Sequence, residues 1–156
     1  MRVTTWVDGG LILEGDIDVG IQEAFDEKRY VETFALLHGR LDLLMHIIYQ
    51  NYEVSKGMQE IDLGSLINEN ISWKISLNRL SKNQIINEKE RQRLLDFNNL
   101  RNRIIHRLIV RSYQPSRPDK LVQKEVEDGF EEGKRLVKLL NEKTVEVFGS
   151  WELKKK

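Results

Sequence analysis

The chain contains no cysteine, only two prolines and no long apolar run. Without cysteine, a disulfide framework and a thiolate metal site are both excluded. No stretch approaches the roughly 20 apolar residues that a membrane span needs, and residues 1–6 lack the basic-then-apolar pattern of a signal peptide. These absences predict a cytoplasmic protein with no membrane partner. A chain of 156 residues can bury its own core, so no metal or disulfide is needed to stabilise it.

The formal net charge of zero conceals an uneven distribution of charge. Residues 74–117 carry eleven Lys and Arg against three acids, whereas residues 8–32 carry two against eight and residues 119–132 carry two against six. The basic segment can attract a polyanion, or it can pair with the acidic segments once the chain folds. Composition alone leaves both interpretations open.

The apolar pattern predicts four helices after a short N-terminal hairpin. Residues 2–7 are rich in β-branched side chains, and Asp8-Gly9-Gly10 is a turn signal before a second apolar run, so a β-hairpin is expected there. A loop is expected from Gly15 to Gly20. Helical periodicity then covers about residues 22–52, 63–82, 88–113 and 119–148.

Short connections between such helices predict an all-α fold, an antiparallel four-helix up-and-down bundle. The expected organisation is an N-terminal hairpin extension over residues 1–20, the helical bundle over 21–150 and a basic tail over 151–156. In the last helix, Gly129 and Gly133 lie one turn apart near the inward face, where they either permit close helix approach or are tolerated at the surface.

The third predicted helix carries the strongest functional signal. Asn87 and Glu90 form a capping-box signature at its start, and Pro115 stops it after about Tyr113. One apolar stripe is the expected core face, and it comprises Leu94, Phe97, Ile104 and Leu108. A second stripe, a third of a turn away, comprises Leu95, Ile105 and Ile109. Apolar residues thus cover more of the helix than one core face needs, which predicts burial against a second partner.

Polar residues interrupt the second side of this helix in a regular order. Asn98, Asn102 and His106 are four residues apart and form one ridge, while Arg101 projects between the two apolar stripes. An unpaired arginine is costly to bury, so Arg101 is expected either in an ion pair or at an opening that receives an anion. Its planar guanidinium suits phosphate in particular.

The string Leu100-Arg101-Asn102-Arg103-Ile104-Ile105-His106 resembles the motif of the HEPN superfamily (higher eukaryotes and prokaryotes nucleotide-binding domains). That motif is an arginine, a polar residue that is often asparagine, about three further residues and a histidine. The helical layout from about residue 22 onward is also similar. The resemblance implies a metal-independent endoribonuclease that needs no cofactor, and a homodimer in which two motifs meet through the third helix. It also suggests the toxin of a toxin–antitoxin or defence system, with an antitoxin as a further partner.

The residue types fit cleavage of RNA by its own 2′-hydroxyl. His106 can transfer protons near neutral pH, Arg101 can hold the scissile phosphate, and Asn102 can orient either group. The predicted catalytic residues are therefore Arg101, Asn102 and His106. Additional contacts to the RNA are expected from four residues on the same helix: Asn98, Arg103, Arg107 and Arg111.

Three further features leave alternatives open. Many HEPN toxins carry a modified tyrosine two residues after the histidine, where this chain has Leu108, so that route of neutralisation is doubtful. His38, Asp42 and His46 can share one face of the first helix and either bind a metal or form a polar flank. The motif itself also fits a catalytically inactive HEPN-like module that binds a nucleotide or a partner, or a helical adaptor in which Arg101 forms a buried pair.

Overall fold

The computed structural model describes residues 2–7, 10–14, 16–57, 72–113 and 120–154, and it describes side chains within residues 16–57, 72–110 and 123–149. The fold is all-α, with five helices in this described part of the chain. They are α1 (Ile17–Asp26), α2 (Tyr30–Ser55), α3 (Trp73–Lys82), α4 (Glu88–Tyr113) and α5 (Lys120–Lys154). Two strands precede them, β1 (Arg2–Val7) and β2 (Gly10–Glu14), and they pair antiparallel.

The N-terminal part of the helical region differs from the prediction. The prediction of a loop from Gly15 to Gly20 is wrong, because α1 begins at Ile17. Asp16 is the N-cap of this helix, and its side chain accepts a hydrogen bond from the Asp18 amide at 2.8 Å. The single helix expected from residue 22 is also interrupted. Lys28 adopts a φ of 60°, and the Arg29 amide donates to the Ala24 carbonyl at 2.8 Å, which ends α1. Glycine is the residue that usually adopts this left-handed conformation after a helix, so a lysine at position 28 does not indicate a helix end in the sequence.

The core lies where α2, α4 and α5 meet. From α2, Phe34, Leu37, Leu41, Leu44 and Ile48 are buried. The expected core stripe of α4 is confirmed for Leu94, Phe97 and Ile104, and Leu108 is half-buried. In α5, Val126, Phe130, Val137 and Leu140 are buried. The helix predicted over residues 63–82 does not continue through Ser72, which is the extended N-cap of α3 and accepts a hydrogen bond from the Ile75 amide, so α3 begins at Trp73; residues 63–71 lie outside the described part of the chain.

Gly129 and Gly133 permit the close approach of α5 to its neighbours. A Cβ on Gly133 would lie 2.8 Å from Leu37 Cδ1 and 3.0 Å from Phe97 Cε2, and one on Gly129 would lie 3.0 Å from Leu100 Cδ2. The alternative that both are surface glycines is therefore wrong. At these two glycines α5 packs closely against both α2 and α4. The contacts with Phe97 and Leu100 determine how α4 is rotated about its own axis.

Candidate functional site

The candidate motif lies in the C-terminal half of α4, whose start and rotation are both fixed locally. The predicted capping box is present: the Glu90 amide donates to Asn87 Oδ1, and the Asn87 amide donates to Glu90 Oε2, each at 2.9 Å. Phe97 and Ile104 then bury one face of the helix completely. Because that face is fixed, the remaining faces of α4 present Arg101, Asn102 and His106 in defined directions.

Arg101 is half-buried, and its guanidinium is only partly satisfied. Its Nη1 atom donates to Asn102 Oδ1 at 2.6 Å, while its Nε atom is buried without any hydrogen-bond acceptor. Among the ion pairs within the described residues, none involves Arg101. The expectation that this arginine lies in a buried ion pair is not met there. Its positive charge is therefore available for an anion from outside.

Asn102 and His106 are exposed, one turn apart on the ridge that the spacing predicts. Asn102 connects this ridge to Arg101 through its side-chain oxygen. Arg101 and His106, however, are five residues apart, which on an ideal helix separates their directions by about 140°. The two side chains therefore start from different sides of α4, and a single helix does not by itself aim both at one phosphate.

His38 of α2 is near enough to Arg101 for the charge of the guanidinium to act on its imidazole, a relation that the sequence analysis did not predict. The imidazole ring stacks on Trp73 of α3 with ring centroids 4.4 Å apart and an interplanar angle of 24°. Burial lowers the pKa of His38, and the positive charge of Arg101 lowers it further. Asp42 and a hydrogen bond with the Asn98 side chain oppose this shift in the pKa. His38 is therefore disposed to remain uncharged beside Arg101.

The alternative metal site on α2 does not form. His46 is buried, and its Nδ1 atom donates to the Asp42 carbonyl of its own helix at 2.7 Å, while His38 stacks on Trp73. Across the described residues, no three His, Cys, Asp or Glu side chains are arranged to hold a metal ion. His38 and His46 thus belong to different environments, and the equal spacing of the three residues does not bring them together.

The basic residues beside the motif are largely paired with the acidic start of α5. Arg107 Nη1 lies 2.7 Å from Glu125 Oε2, and Arg103 Nε lies 3.8 Å from Glu125 Oε1. Earlier on α4, Arg93 Nε lies 2.8 Å from Glu132 Oε1. The predicted pairing of the basic and acidic segments therefore accounts for part of the charge. The side chain of Arg111, the fourth predicted RNA contact, lies outside the described residues.

Asn98, which was predicted to contact RNA, is not a fully exposed surface residue. It is half-buried, and its side-chain amide acts on His38 of α2 in the direction that raises the pKa of the imidazole. Asn98 thus connects the ridge of α4 to α2, as Asn102 connects it to Arg101. Around Asn98, Arg101 and Asn102 of the predicted site, the structure adds Trp73 and also His38, which the sequence analysis considered only as part of the alternative metal site.

Comparison with known proteins gives no match to a family model, a curated protein or a solved structure. As for membrane association, none of the helices in the described part of the chain combines the length and apolar character of a membrane span.

Proposed function

We propose that this protein is a metal-independent endoribonuclease of the HEPN type that acts as a homodimer. The observation that carries the proposal is the set of contacts that Arg101 makes. Its guanidinium is oriented by Asn102 and has no acidic partner among the described residues. The exposed side chain of His106 leaves the same helix on a different side. A guanidinium without a carboxylate is suited to a phosphate, and an exposed imidazole is suited to proton transfer. The R-N-x-x-x-H spacing supports the same assignment.

The proposed reaction needs only groups that the chain and the RNA supply. A histidine takes the proton of the 2′-hydroxyl, and the 2′-oxygen forms a bond to the adjacent phosphorus. The bond from phosphorus to the 5′-oxygen then breaks, and that oxygen receives a proton. Arg101 stabilises the negative charge that grows on the phosphate. The products are a 2′,3′-cyclic phosphate and a 5′-hydroxyl.

The proposed site is composite, with Arg101 of one protomer acting with His106 of the partner subunit. The separation of about 140° between the two positions on an ideal helix supports this arrangement, since the two side chains leave α4 on different sides. Val110, one turn after His106, is 45% exposed, and an apolar side chain at this place on α4 suits an interface along the helix. A two-fold axis near these residues would bring two motifs together.

The finer architecture is part of the same proposal. We infer that α2, α3, α4 and α5 form an antiparallel four-helix up-and-down bundle, with β1 and β2 as a hairpin extension. The close approach of α5 at Gly133 and the short connection between α3 and α4 support this arrangement. A cytoplasmic location and a role as the toxin of a toxin–antitoxin or defence system, with an antitoxin as partner, complete the proposal.

A second candidate function is a catalytically inactive HEPN-like module that binds a nucleotide or a partner protein. The pairing of Arg103 and Arg107 with Glu125 favours it, because these arginines then contribute less charge to a long RNA. A small anionic ligand would need only the local charge of Arg101. The two candidates share one fold and one dimer, and they differ in whether His106 transfers a proton.

Cleavage of a mixed RNA pool in the presence of EDTA tests the proposed function. We expect fragments with 2′,3′-cyclic phosphate ends from the wild-type protein, undiminished by the chelator. His106→Ala should reduce cleavage by at least about a hundredfold, the range for loss of a general acid or base, and leave RNA affinity within a few-fold. Val145→Ala, a change at an exposed site on α5, is the matched control and should cut normally.

The opposite outcomes have distinct meanings. Wild-type protein that binds RNA but yields no cyclic-phosphate ends would support the binding module instead. Cleavage that disappears with EDTA and returns with a divalent ion would contradict the metal-independent mechanism.

A further inference from the structure

A cavity of about 700 Å³ lies between α1, α2 and α5, and none of its described lining residues belongs to α4. Its wall is mainly apolar and includes four core residues of the three helices: Ile21, Leu37, Phe130 and Val137. The exposed residues Lys138 and Glu142 at its rim show that it opens at the surface. Apolar surface of this kind marks a place where another apolar element binds.

The direction of α1 places its first residues beside this cavity. The ring of Phe25, in the last turn of α1, stacks on Phe130 of α5 with centroids 3.8 Å apart. At the other end of α1, Asp18 pairs with Arg40 of α2 and lines the cavity. The lining of α5 continues to Glu146, about 24 Å beyond Phe130, whereas α1 extends only about 12 Å back from Phe25. The cavity therefore continues past the start of α1.

The N-terminal hairpin joins the chain at this point. β2 ends at Glu14 and α1 begins at Ile17, so only two residues separate the hairpin from the helix. Strands of six and five residues are about 17–20 Å long, which is comparable with the length of the cavity along α5. A two-stranded hairpin alone is only marginally stable in water, and this one therefore needs a surface on which to pack.

The register of the hairpin gives it one apolar face. Val3 pairs with Leu13, and Trp6 pairs with Leu11. Because Leu11 and Leu13 are two residues apart on β2, all four positions lie on the same face. The irregularity between Val3 and Thr5 adds one residue to β1, and without it Val3 and Trp6 would lie on opposite faces. The hairpin is thus amphipathic, as an element that covers an apolar cavity must be.

The charges at the rim are complementary to those at the base of the hairpin. In the described part of the chain, no ion pair involves Lys138 or Glu142. Arg2 and Glu14 are partners in the register at the end of the hairpin nearest α1. The hairpin therefore brings one group of each sign to a rim that offers one group of each sign.

We propose that the N-terminal hairpin of this chain packs into the cavity between α1, α2 and α5. The face that it turns toward the apolar wall is the one that carries Val3, Trp6, Leu11 and Leu13. Residues 2–14 are then part of the core of the helical domain and not an extension of it. The proposal does not rest on the ribonuclease, because no described residue of the lining belongs to the motif.

Unfolding of the helices of the full chain in urea, followed by circular dichroism, tests this packing. Leu13→Ala truncates the face toward the cavity, whereas Ile12→Ala removes the same number of carbon atoms from the opposite face. We expect Leu13→Ala to raise the equilibrium constant for unfolding at least about tenfold, as large-to-small changes at buried sites do. Ile12→Ala should change it less than about threefold. Helices that unfold identically in the wild type and Leu13→Ala would overturn the proposal.

A half-buried residue of the lining, Asn141 on α5, tests the location of the hairpin. In an Asn141→Arg background the charged side chain displaces the apolar face, so Leu13→Ala should have little further effect. Gln123→Arg adds the same charge to an exposed site of α5 about 27 Å away, and in this control Leu13→Ala should keep its full effect. A full effect in both backgrounds would contradict the location. An effect that depends on protein concentration would contradict packing within one chain and indicate the cavity of a second copy.

A second measurement does not depend on unfolding. The chain has no cysteine, so a nitroxide attached at Lys138→Cys is the only label, and loss of one of the three indole N–H signals in Trp6→Phe identifies the signal of Trp6. We expect this label to broaden the Trp6 signal more than a label at Gln123→Cys does, and Asn141→Arg to reduce the broadening. Equal broadening from the two labels, or broadening that Asn141→Arg leaves unchanged, would overturn the packing even if the protein cuts RNA.

Discussion

Arg101 lies in an environment that is energetically unfavourable for a purely structural side chain. A buried N–H group without an acceptor costs about 1–3 kcal/mol, and the Nε atom of Arg101 is in that state. Arg107, on the same helix, is instead satisfied by Glu125 at 2.7 Å. Within the described residues, the chain thus gives Arg107 a carboxylate partner and gives Arg101 only the neutral amide of Asn102.

The first prediction concerns His38 and the dependence of stability on pH. The pKa of His38 is lowered in the folded protein, so the unfolded chain takes up the proton first as the pH falls. Its contribution to stability is complete above the ordinary pKa of 6.5 and is lost progressively below it, down to the folded pKa. Denaturant unfolding between about pH 7.5 and 5 should therefore show a falling free energy of unfolding.

Two variants isolate the causes of this effect. His38→Gln should flatten the pH dependence, because the titrating group is absent. Arg101→Met should make it shallower without abolishing it, since burial is the larger cause of the lowered pKa and remains. Equal slopes in the wild type and both variants would show that His38 is not coupled to Arg101.

At the scale of the elements, the sequence predicts what depends on local signals and misses what depends on tertiary contacts. The start of α4 follows from the capping box of Asn87 and Glu90, which involves neighbours only. The end of α1 does not, because Lys28 takes the left-handed conformation that usually requires glycine. Gln84 does the same at the end of α3. The packing of the flanking helices determines where these two helices end, and the residue types at Lys28 and Gln84 do not predict it.

The second prediction compares two glycines within helices. Gly39 of α2 is exposed, and apart from its chain neighbours and the backbone of its own helix no heavy atom lies within 4 Å of the position that an added methyl group would take. Gly39→Ala should therefore raise the free energy of unfolding by about 0.5–1 kcal/mol through helix propensity. Gly133→Ala would bring its methyl group 2.8 Å from Leu37 Cδ1 and 3.0 Å from Phe97 Cε2, both in the core. We expect a loss of about 1–2 kcal/mol, because overpacking exceeds the gain in propensity.

Thermal and denaturant unfolding of both variants measures the difference. Because the two substitutions are chemically identical, they serve as controls for each other. If Gly133→Ala were as stable as Gly39→Ala, the close crossing of α5 over α2 and α4 would be wrong.

At the scale of the whole molecule, the uneven charge along the chain is partly neutralised by packing of the helices. Acidic residues of α5 pair with the basic helix α4 through Glu125 and Glu132. The candidate site could be predicted from sequence where it lies on one helix, as Arg101, Asn102 and His106 do. The contribution of His38 and Trp73 could not, since only folding brings α2 and α3 against α4.

Complementation between two inactive variants tests the composite dimeric site most directly. Arg101→Ala and His106→Ala are each purified, mixed in equal amounts, allowed to exchange subunits and assayed for RNA cleavage, with sedimentation used to verify that the mixed species is a dimer. In a mixed dimer, one site retains Arg101 from one subunit and His106 from the other. We expect the mixture to recover about a quarter of wild-type cleavage, as random pairing of a two-fold dimer requires, while each variant alone stays inactive. A mixture as inactive as its components, or a protein that sediments as a monomer of 18.4 kDa, would contradict the composite site.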